Sequence, residues 1–280
     1  MMPFSFISRE TDDQRVSIVG ILNLTPDSFS DGGSYASLER AEHRAYELIS
    51  EGADVVEVGG DSTRPGSSCV GPDLEWQRIE ALLDRLKGRV PVAVDTHHAQ
   101  VARRAIEYGA ILVNDVSSGA DAEMLPLIAA SGVGYIGMFN PNPPHEFDRM
   151  LQKEGARSAI EGGFQALLER ATQTGISKAQ LVLDTGMGAF LSRDPAVSWE
   201  VLRHYQDFGR FGCSLMLGCS RKGFLRQDNE QSVVERDAAS ALCVAYVVRR
   251  VDGVVPLLLR VHNVKMHRAI LAAADKMEAA

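Results

Sequence analysis

Eight short apolar runs, each followed by a stretch with helical spacing, constrain the fold of this chain more than any other feature. The runs read as buried strands over residues 16 to 24, 54 to 60, 90 to 96, 111 to 117, 133 to 139, 181 to 186, 213 to 220 and 255 to 263. The first, VSIVGILNL, is almost wholly apolar and rich in β-branched residues. It stops at Thr25-Pro26-Asp27, which can extend neither a helix nor a central strand. The intervening LERAEHRAYELISEG, PDLEWQRIEALLDRLKG and HAQVARRAIEYG carry apolar residues three and four apart and stop at glycine, as amphipathic helices do. Eight strand-then-helix units predict an α/β fold, the (β/α)8 TIM barrel. A doubly wound open sheet is the competing architecture, because alternation by itself does not demonstrate closure.

Composition bounds the rest. With 280 residues, 45% hydrophobic and 24% charged, the chain can bury a sizeable core and fits one α/β barrel better than two small domains. No long linker, low-complexity segment or close repeat divides it. A single domain over residues 15 to 280 is therefore expected, after a loosely held tail over residues 1 to 14. The opening MMPFSFISRETDDQR lacks the basic start, apolar run and cleavage site of a secretion signal, and nowhere do 18 uncharged apolar residues follow one another. A cytoplasmic location without a membrane partner is the expectation. Cys69, Cys213, Cys219 and Cys243 lack CxxC spacing and lie mostly in apolar runs, which suits reduced, structural thiols. A net charge of −8 argues against a nucleic-acid or anionic-membrane partner, so an anionic substrate has to meet a local basic cluster.

In a barrel, chemistry gathers where strands end and the following loops begin. Here the strand ends carry Asn23, then Asp61 to Gly66, Asp95 with Thr96, and Asn114 with Asp115. The other half carries Met138-Phe139-Asn140, Asp184, Ser220-Arg221-Lys222 and Arg260-Val261-His262-Asn263. Asp95, Asn114 and Asp184 are short acceptors leaving apolar strands, where an unpartnered carboxylate is costly. They require donors, such as the edge of a nitrogen-rich heterocycle. Arg64, Lys222, Arg260 and His262 supply groups suited to phosphate and carboxylate, and an arginine fork can also stack on a flat ring. Asn23 offers the neutral oxygen that Mg²⁺ accepts when phosphates and waters complete its shell. Together they fit a heteroaromatic compound carrying a phosphate or diphosphate.

Each piece also has a purely structural reading. Asp95 and Asp184 could pair with Lys222 or Arg260 in an ion network, Asn114-Asp115 could be a turn, and His262 could neighbour a helix cap. His97 and His98 read as a loop or helix start, since adjacent histidines on a strand face opposite sides and cannot share a metal. Gly186-Met187-Gly188 lacks a Walker lysine and full GxGxxG spacing. These readings lose ground jointly, because eight separate strand ends would have to be polar by accident.

GILNLTPDSFSDGG, GGDSTRPGSS, VAVDT, VNDVSSG, LDTGMG, GCSRKGF and LRVHNV, in that order over residues 16 to 264, together resemble the dihydropteroate synthase family of the folate pathway. The resemblance implies a (β/α)8 barrel, usually dimeric, that joins a hydroxymethyl-dihydropterin diphosphate to p-aminobenzoate and releases pyrophosphate with Mg²⁺ present. It implies that Asp95, Asn114, Asp184 and Lys222 hold the pterin while Arg260 flanks its ring. Asn23, Thr63, Arg64 and His262 would serve the diphosphate, with Asn23 at the metal. The loop of Arg64 and Pro65 would close over p-aminobenzoate, beside Phe190 and Gly223. Asp95, Lys222 and Arg64 are then the residues expected to act in catalysis. No protein nucleophile is expected, since Ser220 has no evident base in the sequence and Cys219 is expected to face the barrel or its packing.

Against the family pattern, the usual Met-His run after the fifth strand is Met138-Phe139-Asn140, and Asp-Pro-Gly is Asp184-Thr185-Gly186. An aromatic that borders the p-aminobenzoate site is replaced by Ala189, with Phe190 one place later. Gly223 stands where some members have Ser, leaving backbone N–H groups to meet a carboxylate as a helix N-terminus can. Asn263 replaces Asp. The Ala189-Phe190 shift suggests reduced sulfonamide sensitivity. The apolar face of DAASALCVAYVV, over residues 237 to 248, exceeds what one barrel helix needs and suggests a homodimer through the last helices. Two other functions compete: a pterin-binding paralogue without catalysis, and a methyltetrahydrofolate-corrinoid methyltransferase, which would not need the STRPG and SRK positions.

Overall fold

Each apolar run forms a strand, and each stretch with helical spacing packs outside a sheet that closes on itself. The computed structural model describes residues 16–24, 35–62, 67, 70–227, 231–251 and 253–278. The first half comprises β1 (Val16–Asn23), α1 (Tyr35–Ser50), β2 (Val55–Gly59), α2 (Pro72–Leu86), β3 (Val92–Asp95), α3 (Ala99–Glu107), β4 (Leu112–Asp115) and α4 (Met124–Ser131). The second comprises β5 (Gly134–Met138), α5 (Lys153–Thr174), β6 (Leu181–Asp184), α6 (Pro195–Arg203), β7 (Ser214–Leu217), α7 (Asp237–Val251), β8 (Leu257–Val261) and α8 (Val264–Glu278). Every strand is parallel to its neighbours, and β1 closes on β8 with Val16 beside Leu257 and Gly20 beside Val261. Closure decides for the barrel over the open sheet, and it leaves no unpaired sheet edge.

The strands are shorter than their apolar runs. The run over 213 to 220 contributes only Ser214–Leu217, and that over 90 to 96 only Val92–Asp95. Val90, Cys213 and Cys219 are nevertheless buried. Burial under the helices extends beyond the last ladder hydrogen bond, so hydrophobicity overestimates strand length. Helix ends follow glycine more closely: α5 stops at Gly175, whose left-handed φ of +87° suits a residue without Cβ.

Period two along each strand sorts residues into two layers. Ile18, Val56, Val94, Val113, Leu183, Leu217 and Leu259 face outward into the core shared with the helices. Val19, Val55, Ala93, Leu112, Ile136, Val182, Met216 and Leu258, one from every strand, meet inside the barrel as an apolar plug. That plug is the floor on which the mouth is built.

Among the described residues, no helix is long and apolar enough to cross a membrane. Cys213, Cys219 and Cys243 are free and buried. Burial pushes the Cys213 and Cys243 thiols up to about 11, so they are protonated and inert near neutrality. Cys69 and the expected tail over residues 1 to 14 lie outside the described residues.

Candidate active site

Two residues above the plug, toward the C-terminal ends of the strands, the inward positions turn polar. Glu57 follows Val55, Asp95 follows Ala93, Asn114 follows Leu112, Asp184 follows Val182 and Arg260 follows Leu258. On β1 the inward series runs from Val19 through Ile21 to Asn23. Asn23, Asp95, Asn114, Asp184 and Arg260 line one cavity of about 390 Å³. The segments after the strands add Phe190, Lys222, Gly223 and His262 to the same cavity. Thr63, Arg64 and Pro65 lie outside the described residues, as do residues 25–34 of the first loop.

A hydrogen-bonded network spans the mouth. Arg260 donates from Nε to Glu57 Oε1 at 2.7 Å and from Nη2 to Asp95 Oδ2 at 2.8 Å. Asn114 Nδ2 donates to Glu57 Oε2 at 2.8 Å, whereas Asn114 Oδ1 is buried with no hydrogen-bond partner among the described residues. Asp95 therefore does belong to an ion network, as its structural reading held, while Asn114 is a strand residue and not a turn. Glu57 is a member that sequence reasoning missed. Its signal was a lone carboxylate inside the apolar VVEVG, a placement that demands a buried cation.

Burial, reinforced by Glu57 and opposed by Arg260, raises Asp95 to about 7. Burial likewise lifts Asp184 to about 6, against the Gly186 N–H that donates to its Oδ1 at 2.8 Å and the attraction of Lys222. Burial works against the charge of Arg260, but the Glu57 and Asp95 carboxylates outweigh it and hold the guanidinium protonated. Carboxylates raised this far are short of donors. A ligand edge that supplies N–H groups would stabilise their ionised form.

The neighbouring residues are mostly structural. Asp115 points the other way and accepts from Tyr135 Oη at 2.8 Å and from the backbone N–H groups of Ser117 and Gly119. Arg221 is held by both oxygens of Asp237, at 2.6 and 2.8 Å, and Asn263 Nδ2 joins them at 3.0 Å. Asn263 also caps α8, accepting from Met266 N at 3.1 Å.

Ser220 corrects an expectation. Its Oγ lies 3.0 Å from His262 Nδ1 and accepts the His262 backbone N–H at 3.2 Å, so a base does stand beside it. The direction of the Ser220–His262 hydrogen bond follows the imidazole tautomer, and in either direction it fixes the ring's orientation. Ser220 thereby orients the His262 ring at the mouth. Cys219 faces α7, with Sγ 3.9 Å from the Ser240 carbonyl, and burial pushes its thiol far above the ordinary range.

The departures from the family pattern have local explanations. Phe139 turns outward onto α5, where a Cβ on Gly163 would stand 2.3 Å from its ring, so it leaves the mouth unobstructed. Gly186 has φ +67°, and a Cβ there would meet the Phe139 carbonyl at 2.7 Å, so the turn that presents its N–H to Asp184 requires glycine whether Thr185 or proline precedes it. Phe190 ends a 3₁₀ turn, lines the cavity and lies under Lys222, with Nζ 4.4 Å from the ring centroid. It is not core. Gly223 opens the 3₁₀ turn Gly223–Leu225, and α7 begins at Asp237.

Residues 19–262 match the family described as pterin binding enzyme. The dihydropteroate synthase of Streptococcus pyogenes is 33% identical over 274 residues, covering 95% of this chain and 97% of that protein. Two solved structures superpose closely. One is Xanthomonas albilineans dihydropteroate synthase with 4-aminobenzoic acid, with a TM-score of 0.85, 28% identity and coverage of 96% and 94% of the two chains. The other is dihydropteroate synthase from Anaplasma phagocytophilum with bound 6-hydroxymethylpterin-monophosphate, with a TM-score of 0.83, 30% identity and coverage of 94% and 99%.

Proposed function

We propose, from the premise that the chain belongs to the dihydropteroate synthase family of pterin binding enzymes, that its mouth is divided between a pterin end and a diphosphate end. The chain is a transferase that condenses 6-hydroxymethyl-7,8-dihydropterin diphosphate with p-aminobenzoate, giving 7,8-dihydropteroate and pyrophosphate. The observation that carries the division is the single cavity in which buried acceptors and cations from separate strands meet.

Asp95, Asn114 and Asp184 receive the donor edge of the pterin, and Lys222 donates to the ring. Three features of the mouth support this: Asn114 Oδ1, which has no partner among the described residues, and the raised pKa values of Asp95 and Asp184. Arg260, fixed by Glu57 and Asp95, flanks the ring. His262, its ring oriented by Ser220, meets the diphosphate together with Thr63 and Arg64. Asn23 brings one neutral oxygen to the cavity, and beside it Gly59 leaves room, since a Cβ there would stand 3.6 Å from Asn23 Oδ1. That donor suits Mg²⁺, which takes few protein oxygens and fills its octahedron with phosphate oxygens and water. When bound it would neutralise charge on the diphosphate.

The dihydropterin ring releases electrons toward its exocyclic methylene, so the carbon–oxygen bond breaks toward a cation as pyrophosphate departs. Asp95 and Asp184 stabilise the positive ring, and Arg64 and His262 stabilise the leaving charge. The amine of p-aminobenzoate attacks the methylene carbon and then loses a proton. Pro65, Phe190 and Gly223 border that second substrate. Phe190 in place of the usual aromatic reduces the space beyond its ring, which favours reduced sulfonamide sensitivity.

Assembly as a homodimer through the last helices is supported by apolar side chains on and near α7: Leu242 is 70% exposed, and Tyr246 and Val254 are also exposed. A cytoplasmic site of action accords with the three free buried thiols. Mixing the protein with Mg²⁺, dihydropterin diphosphate and p-aminobenzoate should give dihydropteroate by mass. Pterin binding without that product would overturn the reading.

A further inference from the structure

A second polar cluster stands at the rim of the mouth. Asp61 follows β2, His97 follows β3, and His145 lies between β5 and α5. Asp61 is buried and both histidines are half-buried. One carboxylate oxygen and one nitrogen from each ring lie within 4.8 Å of one another. Ligands about 2.0–2.2 Å from one ion stand roughly 3–4 Å apart, so small side-chain rotations bring all three onto a common point. Asp61 Oδ2 and His145 Nε2 are already 2.9 Å apart.

Hydrogen bonding sets which nitrogen of His145 faces that point. Ser67 Oγ lies 3.4 Å from His145 Nδ1, which orients the ring so that its other nitrogen faces Asp61. In the tautomer protonated at Nδ1, the Nε2 lone pair faces the Asp61 carboxylate, and a cation between them would satisfy both acceptors. A second proton on His145 would satisfy this pair alone and would not account for the convergence of His97. The backbone holds the arrangement: His145 sits at φ +66°, which non-glycine residues rarely enter. The His97 and His98 rings lie 4.0 Å apart between centroids, yet His98 Nδ1 pairs with Glu75 Oε2 at 2.7 Å while the His97 ring lies edge-on to His145, 5.9 Å between centroids.

We propose that Asp61, His97 and His145 bind one divalent transition ion of the Zn²⁺ class, tying together the loops after β2, β3 and β5. Two imidazoles and a carboxylate favour Zn²⁺, Co²⁺ or Fe²⁺ over Mg²⁺, which prefers oxygen donors. Asp61 also lines the substrate cavity, whereas His97 and His145 do not, so the ion sits beside that cavity and apart from Asn23. Its occupancy would brace one wall of the mouth.

The test uses the full chain stripped with EDTA, freed of chelator, and titrated with Co²⁺ and separately with Zn²⁺, both in excess Mg²⁺. We expect one Co²⁺ per chain, with a visible spectrum distinct from that of the aqueous ion and abolished by one equivalent of Zn²⁺. His97→Gln and His145→Asn should each weaken Zn²⁺ binding by at least about tenfold, with the metal-free melting temperature of the parent retained. Asn is chosen at position 145 because it tolerates left-handed backbone. An aqueous Co²⁺ spectrum in the parent would overturn the proposal, as would equal Zn²⁺ affinity in parent and folded variants. If a variant does not fold, the parent spectrum decides alone. None of these readouts depends on condensation, so their failure leaves the proposed reaction untouched.

Discussion

Arg260 on β8 and Glu57 on β2 meet across the barrel mouth, with Nε donating to Oε1 at 2.7 Å between residues 203 apart in sequence. The two strands flank β1 and do not pair with each other. The contact therefore exists only because the barrel is closed. Glu57→Gln keeps the shape and removes the charge, and breaking a buried ion pair costs about 3–5 kcal/mol. Since Asp95 still faces Arg260, the lower end of that range is expected, read as a clear fall in melting temperature. The pKa of Asp95 should also fall part of the way back toward its ordinary value, moving the acid limb of pterin binding to lower pH. A variant with parental melting temperature and acid limb would contradict this.

Asp184→Asn or Lys222→Ala should abolish condensation while leaving the far-ultraviolet circular dichroism of the barrel unchanged. Both residues line the cavity above the plug and neither belongs to the plug itself. Parental turnover in either variant would remove that residue from the pterin end.

Asp184 titrates at about 6 in the fold against an ordinary 3.8. The folded chain holds that proton more tightly than the unfolded chain, so this group costs stability as pH rises from about 4 through 6. His97, lowered by burial to about 4, and His267, also lowered by burial, work the other way, because they must charge as pH falls below 6.5. Comparison with Asp184→Asn, which has no charge to bury, isolates the carboxylate. The melting temperature of the variant minus that of the parent should grow between pH 5 and pH 7.5, and a constant difference would count against the raised pKa.

Phe190 lies under Lys222 on the cavity wall, one residue beyond Ala189. Sulfonamides carry a bulkier group beyond the ring than p-aminobenzoate, so a displaced wall can admit the substrate and crowd the drug. Inhibition should need roughly tenfold more drug than for a typical member, about 1.4 kcal/mol, and Phe190→Gly should recover sensitivity. Ordinary sensitivity in the parent, or no gain in the variant, would sink the idea.

Leu242 is 70% exposed on α7, close in sequence to Tyr246 on the same helix. Sedimentation at micromolar concentration should give a dimer, and Leu242→Arg should give a monomer that keeps its fold. A parent that sediments as a monomer would rule out assembly through this face.

The sequence by itself determined the architecture and much of the site, because both rest on local periodicity. Apolar runs alternating with helical spacing specified eight strand-helix units, and polar residues at strand ends marked Asp95, Asn114, Asp184, Lys222 and Arg260. Strand lengths were less legible, since residues such as Val90 and Cys219 are buried without ladder pairing. Only the tertiary structure decided which polar residues meet. Closure brings Glu57 under Arg260 and leaves an acceptor of Asn114 without a partner among the described residues. It also sets His262 against Ser220, although the two are 42 residues apart and no local pattern records their contact. The rings of His97 and His98 lie only 4.0 Å apart although the residues are adjacent in sequence, because they follow β3 in a loop where strand alternation no longer sends neighbours to opposite faces. Periodicity reports which face a residue occupies, but the partner on that face comes from strands that meet only when the sheet closes.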